Sequence, residues 1–121
     1  MPKIYWLMGY NIKEGQAGAY KKFVNSKQFK SLCREVESET RIKYMMTYFT
    51  IIPSSGEGSD YDAYDFWELP NHAAMDKIRN SEAMGKLAET SYGFLEPRPR
   101  KSVVLRNASD VKIMFDPKVK K

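Results

Sequence analysis

Two hydrophobic rhythms divide the chain. KIYWLMGYNI (3 to 12), RIKYMMTYFTII (41 to 52) and YDAYDFWEL (61 to 69) are rich in aromatic and β-branched residues, run for strand lengths and stop at turn-forming residues. KSVVLRN (101 to 107) is a fourth such run, and VKIMF (111 to 115) a short fifth. Between them, apolar residues recur at helical spacing. Tyr20, Phe23 and Val24 share one helix face, whereas Phe29, Leu32, Cys33 and Val36 are out of phase with them by about one residue. The slip falls at Ser26, whose hydroxyl can cap a fresh helical start, so the spacing predicts a kinked or two-piece helix from about 15 to 39. A second helix opens at Pro70-Asn71 and slips likewise. Met75 and Ile78 set one phase and Met84, Leu87 and Ala88 another, with Asn80-Ser81 between them.

NSKQFKSLC (25 to 33) and NSEAMGKLA (80 to 88) therefore match in Asn-Ser and in the apolar positions that follow. They mark equivalent kinks in two related halves, or are a chance echo of loosely matched positions. The element order, β-α-β twice, predicts an α+β, ferredoxin-like βαββαβ protomer with a four-stranded antiparallel sheet over residues 1–106. Residues 107–121 are then a basic extension with room for a short extra strand.

One layer of helices covers only one face of such a sheet. The second strand carries Ile42, Tyr44, Met46, Tyr48, Thr50 and Ile52 on one side and Lys43, Met45, Thr47, Phe49 and Ile51 on the other, and neither set suits water. An exposed apolar sheet face points to an interface. The expected assembly is a homodimer, packed sheet against sheet into an α/β barrel.

Composition narrows the chemistry. The 121 residues hold one cysteine, Cys33, and one histidine, His72, so an internal disulfide and a Cys/His zinc cluster are both excluded. Cys33 lies in the apolar stripe of the first helix, with no second imidazole for a nucleophilic triad. Residues 1–97 hold 12 Lys/Arg against 13 Asp/Glu, and residues 98–121 hold 8 against 2. The basic end reads as a solvated terminus or as a weak electrostatic contact for nucleic acid or an acidic membrane. Specific RNA binding of the kind ferredoxin-like domains perform needs a basic, glycine-containing third strand, and YDAYDFWEL has acids and no glycine. No run resembles a secretory leader or approaches the length of a membrane span, so a cytoplasmic protein without membrane insertion is expected.

The run DFWELPNHAAMD (65 to 76), followed by NSEAM (80 to 84), resembles the antibiotic-biosynthesis-monooxygenase domain of the dimeric α/β-barrel superfamily. In that family the third strand ends in an acidic residue, a spacer and a Trp before a helix broken at a Ser. The resemblance is best over residues 61–88. It implies a pocket for an aromatic or polycyclic molecule and, in active members, oxygen chemistry with no metal or bound cofactor. Trp67 and Asp65 take the Trp and acidic positions. Members that degrade haem use an Asn, a Trp and a His whose positions fall at Met8, Lys77 and Leu87, and the helix His common in the wider domain falls near Ile78. Those departures argue against haem degradation. ESETRIK also stands where a glycine-containing turn usually precedes the second strand.

Residue chemistry allows the same pocket. An indole stacks on planar molecules and donates one hydrogen bond, and a carboxylate among aromatics has a raised pKa suited to accepting a proton. Trp67 and Asp65 are the candidate catalytic pair, or else core filling and a bonded strand residue. His72, at a helix start, is a candidate base or an exposed first-turn residue. Trp6, Tyr10, Tyr44 and Tyr48 are candidate ligand-binding residues, and with Tyr5, Tyr61 and Tyr64 they suit a pocket wall or a dimer interface. Two functions follow: a monooxygenase-like enzyme acting on a hydrophobic metabolite, or a non-catalytic ligand-binding or assembly module.

Overall fold

The computed structural model describes residues 4–51 and 61–106, apart from the side chains of 98 and 99. Its elements are β1 (Ile4–Ile12), α1 (Ala17–Val24), α2 (Lys27–Thr40), β2 (Lys43–Phe49), β3 (Ala63–Leu69), α3 (Ala74–Arg79), α4 (Glu82–Ser91) and β4 (Leu95–Arg106). The strands form one antiparallel sheet in the order β2-β3-β1-β4. This is the ferredoxin-like α+β fold. The VKIMF run and the rest of the basic extension lie outside the described residues.

Both expected helix breaks are present, and both have one cause. Ser26 and Ser81 adopt extended backbone conformations, and each hydroxyl accepts the N–H three residues on: from Phe29 at 3.1 Å and from Met84 at 3.0 Å. A serine in that role ends one helical phase and starts the next, so the two halves of each helix bury separate stripes. Phe23 and Phe29, on either side of the first break, meet edge to face at 5.3 Å.

The alternation in β3 is strict, with Ala63, Asp65, Trp67 and Leu69 buried beneath the helices. β2 departs from the expected alternation. Its register against β3 shifts between Tyr44, opposite Trp67, and Met46, opposite Phe66, so Met45 is an extra, bulged residue. A one-residue insertion exchanges the faces of everything beyond it. Tyr44 thus shares the helix-covered face with Thr47 and Phe49, while Met46 and Tyr48 turn to the open face.

β4 begins at Leu95 rather than Lys101. Pro97 and Pro99 hide it from a propensity reading, yet β4 pairs only with β1, and an edge strand tolerates prolines that cannot donate. At the end of α2, Arg41 has φ 67°, a left-handed conformation that glycine adopts at lower cost. The turn before β2 keeps that backbone without the usual residue.

Removing one cap, by Ser26→Ala or Ser81→Ala, is expected to cost about 1 kcal/mol in urea unfolding, and the two losses should add. Arg41→Gly should gain about 0.5–1 kcal/mol by relieving the left-handed strain. Unchanged midpoints in the serine variants would contradict the capping account.

Candidate functional site

Between the covered sheet face and the helices lies a cavity of about 290 Å³. β1 supplies Trp6, Met8 and Tyr10, β3 supplies Asp65 and Trp67, and Tyr20 of α1 and Phe29 of α2 close one side. Met84, Leu87 and Ala88 of α4 form the opposite wall, and Ser91, Tyr92, Leu95, Arg100 and Ser102 also line the space. The interior is predominantly apolar and aromatic. Trp6 and Trp67 lie 6.0 Å apart, and Tyr44 meets Trp67 edge to face at 5.3 Å.

One buried acid stands in this setting. Asp65, 6% exposed, receives two hydroxyl hydrogen bonds on the same oxygen, Oδ1: from Tyr10 at 2.6 Å and from Thr47 at 2.7 Å. Behind them, the Tyr10 hydroxyl lies 2.7 Å from that of Tyr20, and the Thr47 hydroxyl 2.6 Å from that of Tyr44. A hydroxyl has one proton to give. Because Tyr10 and Thr47 spend theirs on Asp65, Tyr20 must donate to Tyr10 and Tyr44 to Thr47. Two chains of donors therefore converge on one oxygen, and Oδ2 has no hydroxyl partner among the described residues.

The electrostatics follow from burial. Loss of solvation pushes the Asp65 carboxyl up from 3.8 to about 6, and the bonds from Tyr10 and Thr47, with a smaller influence from Trp67, limit the rise. The Trp67 indole N–H favours the carboxylate from a position short of hydrogen-bond geometry, since its Nε1 is buried with no partner among the described residues. Burial, then the charge of Asp65, also raises Tyr10 and Tyr20 far above the usual tyrosine value. Burial pushes Tyr44 up to about 12, and Cys33 to about 12. The tyrosines remain donors at neutral pH, and among these groups Asp65 is the one whose value lies near neutrality.

The structure brings Trp67, Asp65, Trp6 and Tyr10 to the cavity. Tyr44 sits behind Trp67 and reaches the acid through Thr47. Tyr48, its expected companion, is on the open face, 53% exposed and edge to face with Phe66, because the Met45 bulge reversed it. His72 stands exposed in the turn before α3, outside the cavity lining; Asn71 provides the local cap by accepting the Ala74 N–H at 3.0 Å. Thr47 and Tyr20 were not singled out by sequence reasoning. Thr47 is one of two threonines in RIKYMMTYFTII, which set it apart from its apolar neighbours but not from Thr50, and Tyr20 read only as part of a helix stripe. Among the described residues, no group of three or more His, Cys, Asp or Glu is placed to hold a metal.

No protein-family model matches the chain, and no curated protein does. Solved structures share its fold. A dimeric ferredoxin-like protein of unknown function from Thermobifida fusca superposes with a TM-score of 0.60 at 10% identity, over 86% of this chain and 90% of that one. A dimeric protein of unknown function and ferredoxin-like fold from Bacteroides fragilis gives 0.59 at 11% identity, over 87% and 96%. A NIPSNAP family protein of unknown function from Agrobacterium tumefaciens gives 0.58 at 14% identity, over 95% and 92%. Similarity at these identities establishes the fold. No helix among the described residues is long and apolar enough to cross a membrane.

The raised carboxyl has a stability consequence. Between its unfolded value near 3.8 and its folded value near 6, the native state keeps a proton on Asp65 that the unfolded chain has released. Its contribution is present below that window, is lost as pH rises through about 6, and amounts to about 3 kcal/mol from a shift of that size. Asp65→Asn, which cannot ionise, should gain stability relative to the parent as pH rises from 4 to about 6.5. Urea midpoints across that range provide the test, and a constant difference would contradict the assigned shift.

Proposed function

We propose that the protein binds a planar, hydrophobic molecule in the cavity between sheet and helices, and that Asp65 takes a proton from it. One observation carries this reading: a desolvated carboxyl, its pKa raised toward neutrality, borders an apolar space able to hold a fused-ring molecule. A general base works best near its operating pH, and about 6 serves near-neutral chemistry.

The resemblance of DFWELPNHAAMD to the monooxygenase-like domain supports a specific continuation. A phenolic ring that gives its proton to Asp65 becomes an electron-rich phenolate. A ring carbon then bonds to dioxygen, and Asp65 returns the proton to the resulting peroxide. The O–O bond breaks as the ring C–H proton leaves, so one phenol and one O2 yield one quinone and one water. Trp67 provides the stacking wall, Trp6 and Tyr10 complete the cradle, and His72 has no part in it. A non-catalytic binding module is the second reading, favoured by the two donors that already occupy Oδ1.

We also infer that the open sheet face pairs with a second copy, forming an α/β barrel. Tyr5, Met46, Tyr48, Phe66 and Leu105 make a shallow apolar groove there, with Met46 51% exposed. The dimeric ferredoxin-like proteins of similar fold support this assembly.

With naphthol-type phenols, oxygen consumption should rise with pH through about 6, and Asp65→Asn should slow it by about 100-fold or more while binding persists. Binding with no oxygen consumption by the parent would select the binding module. Phe66→Asp should convert a dimer to a monomer in sedimentation velocity; an undisturbed dimer would contradict the sheet-to-sheet pairing.

A further inference from the structure

The charges around the cavity are of one sign at one end. Among the described residues that line it, Asp65 is the single acid, and it is buried, whereas Arg100 of β4 is an exposed cation on the border. Arg100 also borders an outer groove lined by Lys13, Tyr92, Leu95 and Pro97. Arg100 therefore borders both the apolar cavity and a second concavity that, among the described residues, carries a lysine and no acid.

Its placement has structural support. Arg100 lies opposite Tyr10 in the β1–β4 ladder, which directs both side chains to the helix-covered face. The guanidinium carbon sits over the Tyr92 ring, 5.3 Å from its centroid. Among the described residues no carboxylate pairs with it. The carbonyl end of α4 nearby would oppose an anion, but its Ala88, Glu89 and Ser91 carbonyls already accept the N–H groups of Tyr92 and Phe94.

We infer that the ligand is an aromatic or similarly hydrophobic molecule carrying a carboxylate, its apolar body in the cavity and its anionic end on the Arg100 guanidinium. This inference rests on the proposed small-molecule pocket and adds the ligand class. Arg100 is a binding residue that sets orientation. A cation held at the border over the Tyr92 ring favours a planar, bidentate anion at little further ordering cost, while Lys13 adds longer-range attraction. The same orientation keeps the ligand's negative end at the border, away from the buried Asp65, where two like charges would repel.

An isosteric pair of probes tests the inference: 2-naphthoate and naphthalene-2-carboxamide, followed by quenching of the tryptophan fluorescence of the full chain. The parent should bind the carboxylate about tenfold more tightly than the amide, with the preference shrinking as salt is raised. Arg100→Gln should erase the preference by weakening naphthoate alone, and Arg100→Lys should restore part of it. Equal affinity for both probes in the parent would overturn the anionic class while leaving the pocket intact. A preference that survives Arg100→Gln unchanged would overturn the assignment to Arg100. Failure of both probes to bind at millimolar concentration would overturn the pocket reading and this inference together.

Discussion

Two hydroxyl hydrogen bonds on one oxygen of a buried carboxylate organise the interior of this protein. They limit the rise that burial imposes on the Asp65 carboxyl, and Tyr10 and Thr47 each give it their one hydroxyl proton. The bonds impose direction beyond themselves, because each donor can give its proton only once. Tyr20 on α1 and Tyr44 on β2 are thereby turned toward the same point, and four elements are held by a single polar centre. The aromatic packing around it then leaves room for a cavity beside the acid.

That centre depends on a bulge. With regular alternation, β2 would present Met46 and Tyr48 on the face of Tyr44, and Thr47 would turn away from Asp65. The extra residue at Met45 brings Thr47 opposite Asp65 and moves Met46 and Tyr48 to the open face. One local insertion thus gives the carboxylate its second hydroxyl donor and sets Met46 and Tyr48 on the opposite face. The polar site and the surface inferred to join two copies are products of the same irregularity.

Much of the fold was legible because it rests on local signals. The Asn-Ser repeats located both helix breaks, since a serine cap acts within three residues, and strict alternation in YDAYDFWEL put Asp65 and Trp67 on one face, the one that the helices cover. What escaped depends on pairing between strands. No glycine marked the bulge, so Tyr44 and Tyr48 looked equivalent when they are on opposite faces. Thr47 and Tyr20 join the site through partners distant in sequence. Arg100 was submerged in the charge of the basic end, and its position against Tyr92 exists only once β4 lies beside β1. The likeness to dimeric ferredoxin-like structures speaks to the arrangement of elements, and the cavity's chemistry was assembled from this chain's own side chains.

The account turns on the ionisation of one side chain, which carbon NMR observes directly. Asp65 would be identified by comparison with Asp65→Asn, and its carboxyl carbon shift followed as pH is varied from 3 to 8. A midpoint near 6 is the predicted result. A midpoint near the ordinary value of 3.8 would mean that the carboxyl is better solvated than its buried position implies, and would contradict the account of Asp65 as a poised base.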